Sequence, residues 1–125
     1  MLRPDRLPAA VRFTVFGLAV AVLLYLTLAP GEALPATNLW DKAQHAISWF
    51  VLTAIGLAFW PTAPGRVGGF VLVLGALIEV LQWLLPFGRE GDARDLLGDG
   101  VGIAAALALW LLLRWAAALR RPLSA

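Results

Sequence analysis

Four stretches of about twenty mostly apolar residues dominate this chain, and no other feature limits its fold as tightly. Wound as a helix at 1.5 Å per residue, such a stretch covers the roughly 30 Å hydrocarbon core of a bilayer. The first covers about residues 11–29 and has no charge after Arg12. The second covers about residues 42–60 and stops at the turn-forming run Pro61-Thr62-Ala63-Pro64-Gly65. The third, about residues 67–87, carries one acid, Glu79. The fourth, about residues 95–119, carries Asp99 near its start and Arg114 near its end.

Composition agrees. Of the 125 residues, 61% are hydrophobic and 14% charged, with a mean hydropathy of +0.81. A soluble domain carries about 25% charged residues, so this chain cannot clothe a water-facing surface. That excludes a soluble enzyme, a nucleic-acid binder and a disordered tail. The lack of cysteine removes disulfides, thiolate metal sites and a cysteine nucleophile. The first stretch has a basic flank, and Thr27-Leu28-Ala29 loosely mimics a leader cleavage site. Pro30 directly after it, and the length of the apolar run, favour an anchor. Short connections make consecutive helices antiparallel. The expected fold is all-α: a polytopic integral membrane protein, an antiparallel bundle of four transmembrane helices, one domain over residues 1–125.

Orientation follows from the distribution of Lys and Arg on short loops. Arg3, Arg6, Arg12, Arg66, Arg114, Arg120 and Arg121 fall on one side, and only Lys42, Arg89 and Arg94 on the other. Both termini are therefore expected in the cytoplasm. Trp40 and Trp83 then mark the outer interface, and Trp60, Trp110 and Trp115 the inner one. Trp49 falls mid-span and is expected to pack between helices.

In this topology the remaining polar residues gather near the outer face. Asp41, Lys42 and His45 open the second helix, and Glu79 and Gln82 lie in the outer half of the third. Arg89, Asp92, Arg94, Asp95 and Asp99 occupy the last outer loop and the start of the fourth. Asp41 and His45 are spaced i,i+4, Glu79 and Gln82 i,i+3, and Asp95 and Asp99 i,i+4, so each pair shares a helix face. Three helices thus point polar faces into one outward cavity. Capping accounts equally for Asp41, Asp92 and Asp95, because acids complement a helix N-terminus, and Gln82 can bridge helices. Glu79 and Asp99 are different: an acid at a helix centre costs about 2.5–3.5 kcal/mol on insertion scales and marks a functional site by default. Gly98 and Gly102 form a small-xxx-small pair that admits a close neighbour, within the chain or in an oligomer.

Asp41-Lys42-Ala43-Gln44-His45 resembles the D-K-x-x-H signature of VanZ-like membrane proteins. Glu79-x-x-Gln82, then Arg89, then Asp95-x-x-x-Asp99-x-x-Gly102, is similar to that family's E-x-x-Q…R…D-x-x-x-N-x-x-G pattern. The match spans residues 41–102 and departs at Asp99, which stands where the family pattern has Asn. The resemblance implies a protein of the bacterial cytoplasmic membrane, in a family whose founding member is associated with teicoplanin resistance.

The expected ligand-binding set is Asp41, Lys42, His45, Glu79, Gln82, Arg89, Asp95 and Asp99. The expected partners are membrane lipids and a lipid-linked envelope precursor or glycopeptide. A second reading is an enzyme acting on a lipid-linked phosphate. Glu79 and His45 would be its acid–base candidates, Lys42 and Arg89 its phosphate clamp, and Asp95 and Asp99 candidate oxygen ligands for Mg²⁺. A third is a bundle latched by its polar residues. The orientation has its own test. The Glu90→Cys variant of this cysteine-free chain should react with an impermeant thiol reagent added to whole cells; labelling only after permeabilisation would overturn it.

Overall fold

The computed structural model describes residues 3–29, 41–85 and 93–120, with the backbone alone for 41, 42 and 93. A short 3-10 turn, Pro4–Arg6, precedes four α-helices: α1 (Ala9–Leu28), α2 (Asp41–Phe59), α3 (Pro64–Leu84) and α4 (Ala93–Leu119). No strand occurs among the described residues. Ala9–Leu28, Pro64–Leu84 and Arg94–Leu119 are each long and apolar enough to cross a membrane. Three of the four expected spans are thus shown; the described apolar part of α2 is Ala43–Phe59.

The packing centres on α2. This helix packs against each of the others, most extensively against α4. Its core residues Trp49, Leu52 and Leu57 meet Leu23 of α1, Val67, Val71 and Ile78 of α3, and Ile103 of α4. Most of the apolar exterior lies on the other three helices, including Leu18 and Val22 of α1, Val73 and Leu77 of α3, and Leu112 and Leu113 of α4, with Ile47 and Val51 exposed on α2. Such a surface is an aggregation liability in water and a solvated one in hydrocarbon.

Helix ends follow local chemistry. α3 begins three residues before the expected position 67, at Pro64, because a proline at N1 lacks only an N–H that would be unsatisfied there. The Val67 N–H closes the first turn onto the Ala63 carbonyl at 3.1 Å. The preceding turn is tight, with the Ala63 N–H donating to the Trp60 carbonyl at 3.1 Å.

Arginines and tryptophans gather at this turn. Arg12, in the first turn of α1, donates to the carbonyl of Phe59 at the end of α2, 2.9 Å away, and its guanidinium lies 5.7 Å from the Trp60 ring. Arg114, late in α4, donates to the Pro61 carbonyl at 3.0 Å and lies 4.8 Å above the Trp110 ring. At the far ends of α1 and α3, the Gln82 side-chain amide donates to the Thr27 carbonyl at 2.8 Å.

The separation of α2 and α4 is set at Gly102. A Cβ there would run into the Ala46 carbonyl oxygen and lie 2.9 Å from the Phe50 nitrogen, and a helix backbone cannot swing away as a side chain can. Gly102 therefore serves contact within the chain. Gly98, one turn earlier, is half-buried. Gly102→Ala should lower stability by about 1–3 kcal/mol, the usual cost of overpacking. Gly100→Ala, whose Cβ would meet nothing within 4 Å, should lose none. Thermal unfolding of both variants in the same detergent checks the contrast.

Candidate functional site

The close approach at Gly102 decides what lies one turn away. Asp95, Asp99, Gly102 and Ala106 follow one another at i, i+4, i+7 and i+11 along α4, and all four are buried. Opposite them on α2, Ala46 is the residue that Gly102 touches, and His45 is its neighbour in sequence. The same geometry that brings the backbones together brings the imidazole against the two carboxylates.

The His45 Nδ1 lies 2.8 Å from Asp99 Oδ1, and its Nε2 lies 4.0 Å from Asp95 Oδ2. One imidazole thus spans two acids a helical turn apart. With Asp99 ionised, Nδ1 carries the proton that it donates, and the other ring nitrogen is turned toward Asp95. Asp99 is only 1% exposed. It is more enclosed than Glu79, although position along the chain alone puts Glu79 deeper.

Helix α3 closes the third side. Both carboxylate oxygens of Glu79 are buried, and His45, Glu79 and Asp99 each present an atom suited to binding a metal within 4.8 Å of the other two. One turn before Glu79, Gly75 makes room: a Cβ there would lie 3.0 Å from Asp99 Oδ2 and 3.6 Å from the Trp49 ring. Below the cluster, Trp49 follows His45 by four residues and is 1% exposed. The next residue on that face, Thr53, donates its hydroxyl to the Trp49 carbonyl at 2.7 Å.

The expected site residues therefore divide. His45, Glu79, Asp95 and Asp99 come together from three helices. Gln82 is turned to α1, where its amide hydrogen-bonds Thr27. Arg94 is exposed at the start of α4. Asp41 and Lys42 open α2 with their side chains outside the described atoms, and Arg89 and Asp92 lie outside the described residues. Trp49 was expected only to pack between helices, and Gly75 was not singled out. Their signals were the i+4 spacing from His45 and the i−4 spacing from Glu79. Among the described residues the cluster is tightly closed, with His45, Asp95 and Asp99 all buried. A groove of about 560 Å³ lies elsewhere, between α2 and α4 near Arg3 and Trp110.

No family model, no curated protein and no solved structure matches this chain. The chemistry is consequently read from the cluster itself. An imidazole held by a carboxylate in a low-dielectric interior can orient one ring nitrogen, move a proton or join neighbouring oxygens around a cation. If the His45–Asp99 contact is a true energetic link, a double-mutant cycle of His45→Ala and Asp99→Ala should give a coupling of about 0.5–3 kcal/mol. Denaturant unfolding in detergent micelles provides the measurement. Strict additivity would mean that the two residues are merely neighbours.

Proposed function

We propose that the chain is a VanZ-like protein of the bacterial cytoplasmic membrane that binds or remodels a lipid-linked or cell-wall-related ligand at its outer face. The observation that carries this reading is the convergence of His45, Asp95 and Asp99 with Glu79 from three helices of an apolar bundle. Ionisable groups held inside a membrane protein mark substrate, ion or proton sites by default. The residues that carry the resemblance include the histidine and two of these three acids, Glu79 and Asp95; Asp99 departs from the family pattern.

An antiparallel arrangement of four transmembrane helices with both termini cytoplasmic is part of the proposal. Support comes from contacts between helix ends: the start of α1 and the end of α4 meet the α2–α3 turn, the ends of α1 and α3 meet, and the starts of α2 and α4 meet. The arginines then gather at the cytoplasmic end and the His–Asp cluster toward the outer one. There the polar end of an envelope lipid precursor or a glycopeptide would meet the cluster, with Lys42 and Arg89 supplying positive charge for a phosphate. A link to teicoplanin resistance belongs to this reading.

The hydrogen bond from His45 to Asp99 favours a second reading, in which Asp99 orients an acid–base histidine and the ligand is turned over. Native mass spectrometry of the purified protein, combined with an assay on lipid-linked phosphates, separates the two. Binding predicts a retained phosphate-bearing lipid that His45→Ala releases while the protein stays folded, with no product formed. Product formation abolished by Glu79→Gln at unchanged lipid retention would establish the enzyme. A folded wild-type protein that retains no such lipid and turns none over would overturn both.

A further inference from the structure

We propose that His45, Glu79 and Asp99 form a binding site for one divalent transition-metal ion, with Asp95 as the outer partner of the histidine. The donor set comes first. One imidazole nitrogen and two carboxylates, contributed by α2, α3 and α4, lie within 4.8 Å of one another. Around an ion with bonds of about 2.0–2.2 Å, neighbouring ligand atoms sit roughly 3.0–3.5 Å apart. The 2.8 Å between His45 Nδ1 and Asp99 Oδ1 is already near that spacing. Glu79 needs only rotation of its flexible side chain to close the remainder.

The mixed nitrogen and oxygen donors select the class of ion. Mg²⁺ and Ca²⁺ favour sites made of oxygens, whereas an imidazole suits Zn²⁺, Fe²⁺, Ni²⁺ or Cu²⁺. This moves the cation from Asp95 and Asp99, the pair suggested by sequence spacing, to a set that includes the histidine. With the ion on Nδ1, the Nε2–H faces Asp95 Oδ2 at 4.0 Å. Closed to hydrogen-bond distance, this pair would form the carboxylate–histidine–metal arrangement, in which the outer acid fixes the ring and raises its basicity.

The surroundings suit an ion in size and charge. Ligand atoms within 4.8 Å of one another can converge on a single ion. A divalent cation also neutralises both carboxylates at once inside an apolar bundle, where isolated charge is costly. Gly75 lets Asp99 Oδ2 lie against the α3 backbone, which keeps the carboxylate pressed between α2 and α3. Three protein ligands leave coordination positions for water or for an oxygen of a bound ligand. The proposal deepens the reading of this cluster as a ligand site, and it rests on that reading only for the ion's contact with a lipid-linked phosphate.

Metal content and Co²⁺ titration of the full chain in detergent test it. The expected result is one equivalent of ion per chain, with the visible absorption of bound Co²⁺ displaced by Zn²⁺ and unaffected by a large excess of Mg²⁺. Glu79→Gln and His45→Ala should abolish the absorption, and Asp95→Asn should weaken binding 10–100-fold. Gln82→Leu, which alters the contact with Thr27, should bind as wild type. Circular dichroism confirms that each variant is folded, and Asp95→Asn carries the test if the inner variants are not. No Co²⁺ absorption from the folded wild type, binding unchanged in Asp95→Asn, or full competition by Mg²⁺ would overturn the site. Lipid retention measured on the same samples keeps the two proposals apart: ion binding without retained lipid leaves the site standing and removes the ligand reading, and the reverse removes the site alone.

Discussion

An imidazole and a carboxylate 2.8 Å apart inside an apolar bundle are the contact on which the rest of this structure turns. Neither group is at ease in hydrocarbon, and each makes the other's burial tolerable. The contact requires the backbones of α2 and α4 to run close together, which requires Gly102 against Ala46. It also requires α3 to yield at Gly75, where Asp99 lies. Two glycines on two helices thus serve one buried pair. α2 becomes the inner helix because its partners must reach it from more than one side.

The two ends of the bundle use polar groups differently. At the α2–α3 turn, Arg12 and Arg114 direct their guanidinium groups to backbone carbonyls and over indole rings, so long cationic side chains finish at the rim. Such residues fix helix depth without asking for a partner in the core. At the starts of α2 and α4 the polar groups are short and buried, and they bind one another. Gln82 belongs to neither set: its amide ties α3 to α1, the helix with the least buried surface.

Much of this was legible in the sequence, and the division is physical. Apolar runs fix helix number and rough length, because hydrocarbon thickness leaves little choice. The i,i+4 pair Asp95/Asp99 is readable because helical periodicity is local. Which helix faces which is not local, so Gln82 could be drawn toward the polar cluster when its partner is a carbonyl of α1. Equal treatment of four runs likewise hid the central position of α2, since a run's own hydropathy does not reveal how many neighbours surround it. The extra residues at the front of α3 were missed because Pro64 reads as a turn signal, although proline is also at home in a helix's first turn. Asp99 gains a physical account: one oxygen hydrogen-bonds with His45 Nδ1 while the other rests over Gly75.

The inner position of α2 has a consequence for how the protein is made. Helices enter the bilayer before they pack, and α2 leaves the ribosome well before α4. Its apolar part is the shortest of the four, and its leading turns carry Asp41, Lys42, Gln44 and His45. The acids that receive His45 are synthesised about fifty residues later, at positions 95 and 99. During that interval the front of α2 has not yet met the α4 acids that flank His45 in the folded protein. A chain truncated before its last helix would therefore lack both α4 acids that His45 meets in the folded protein.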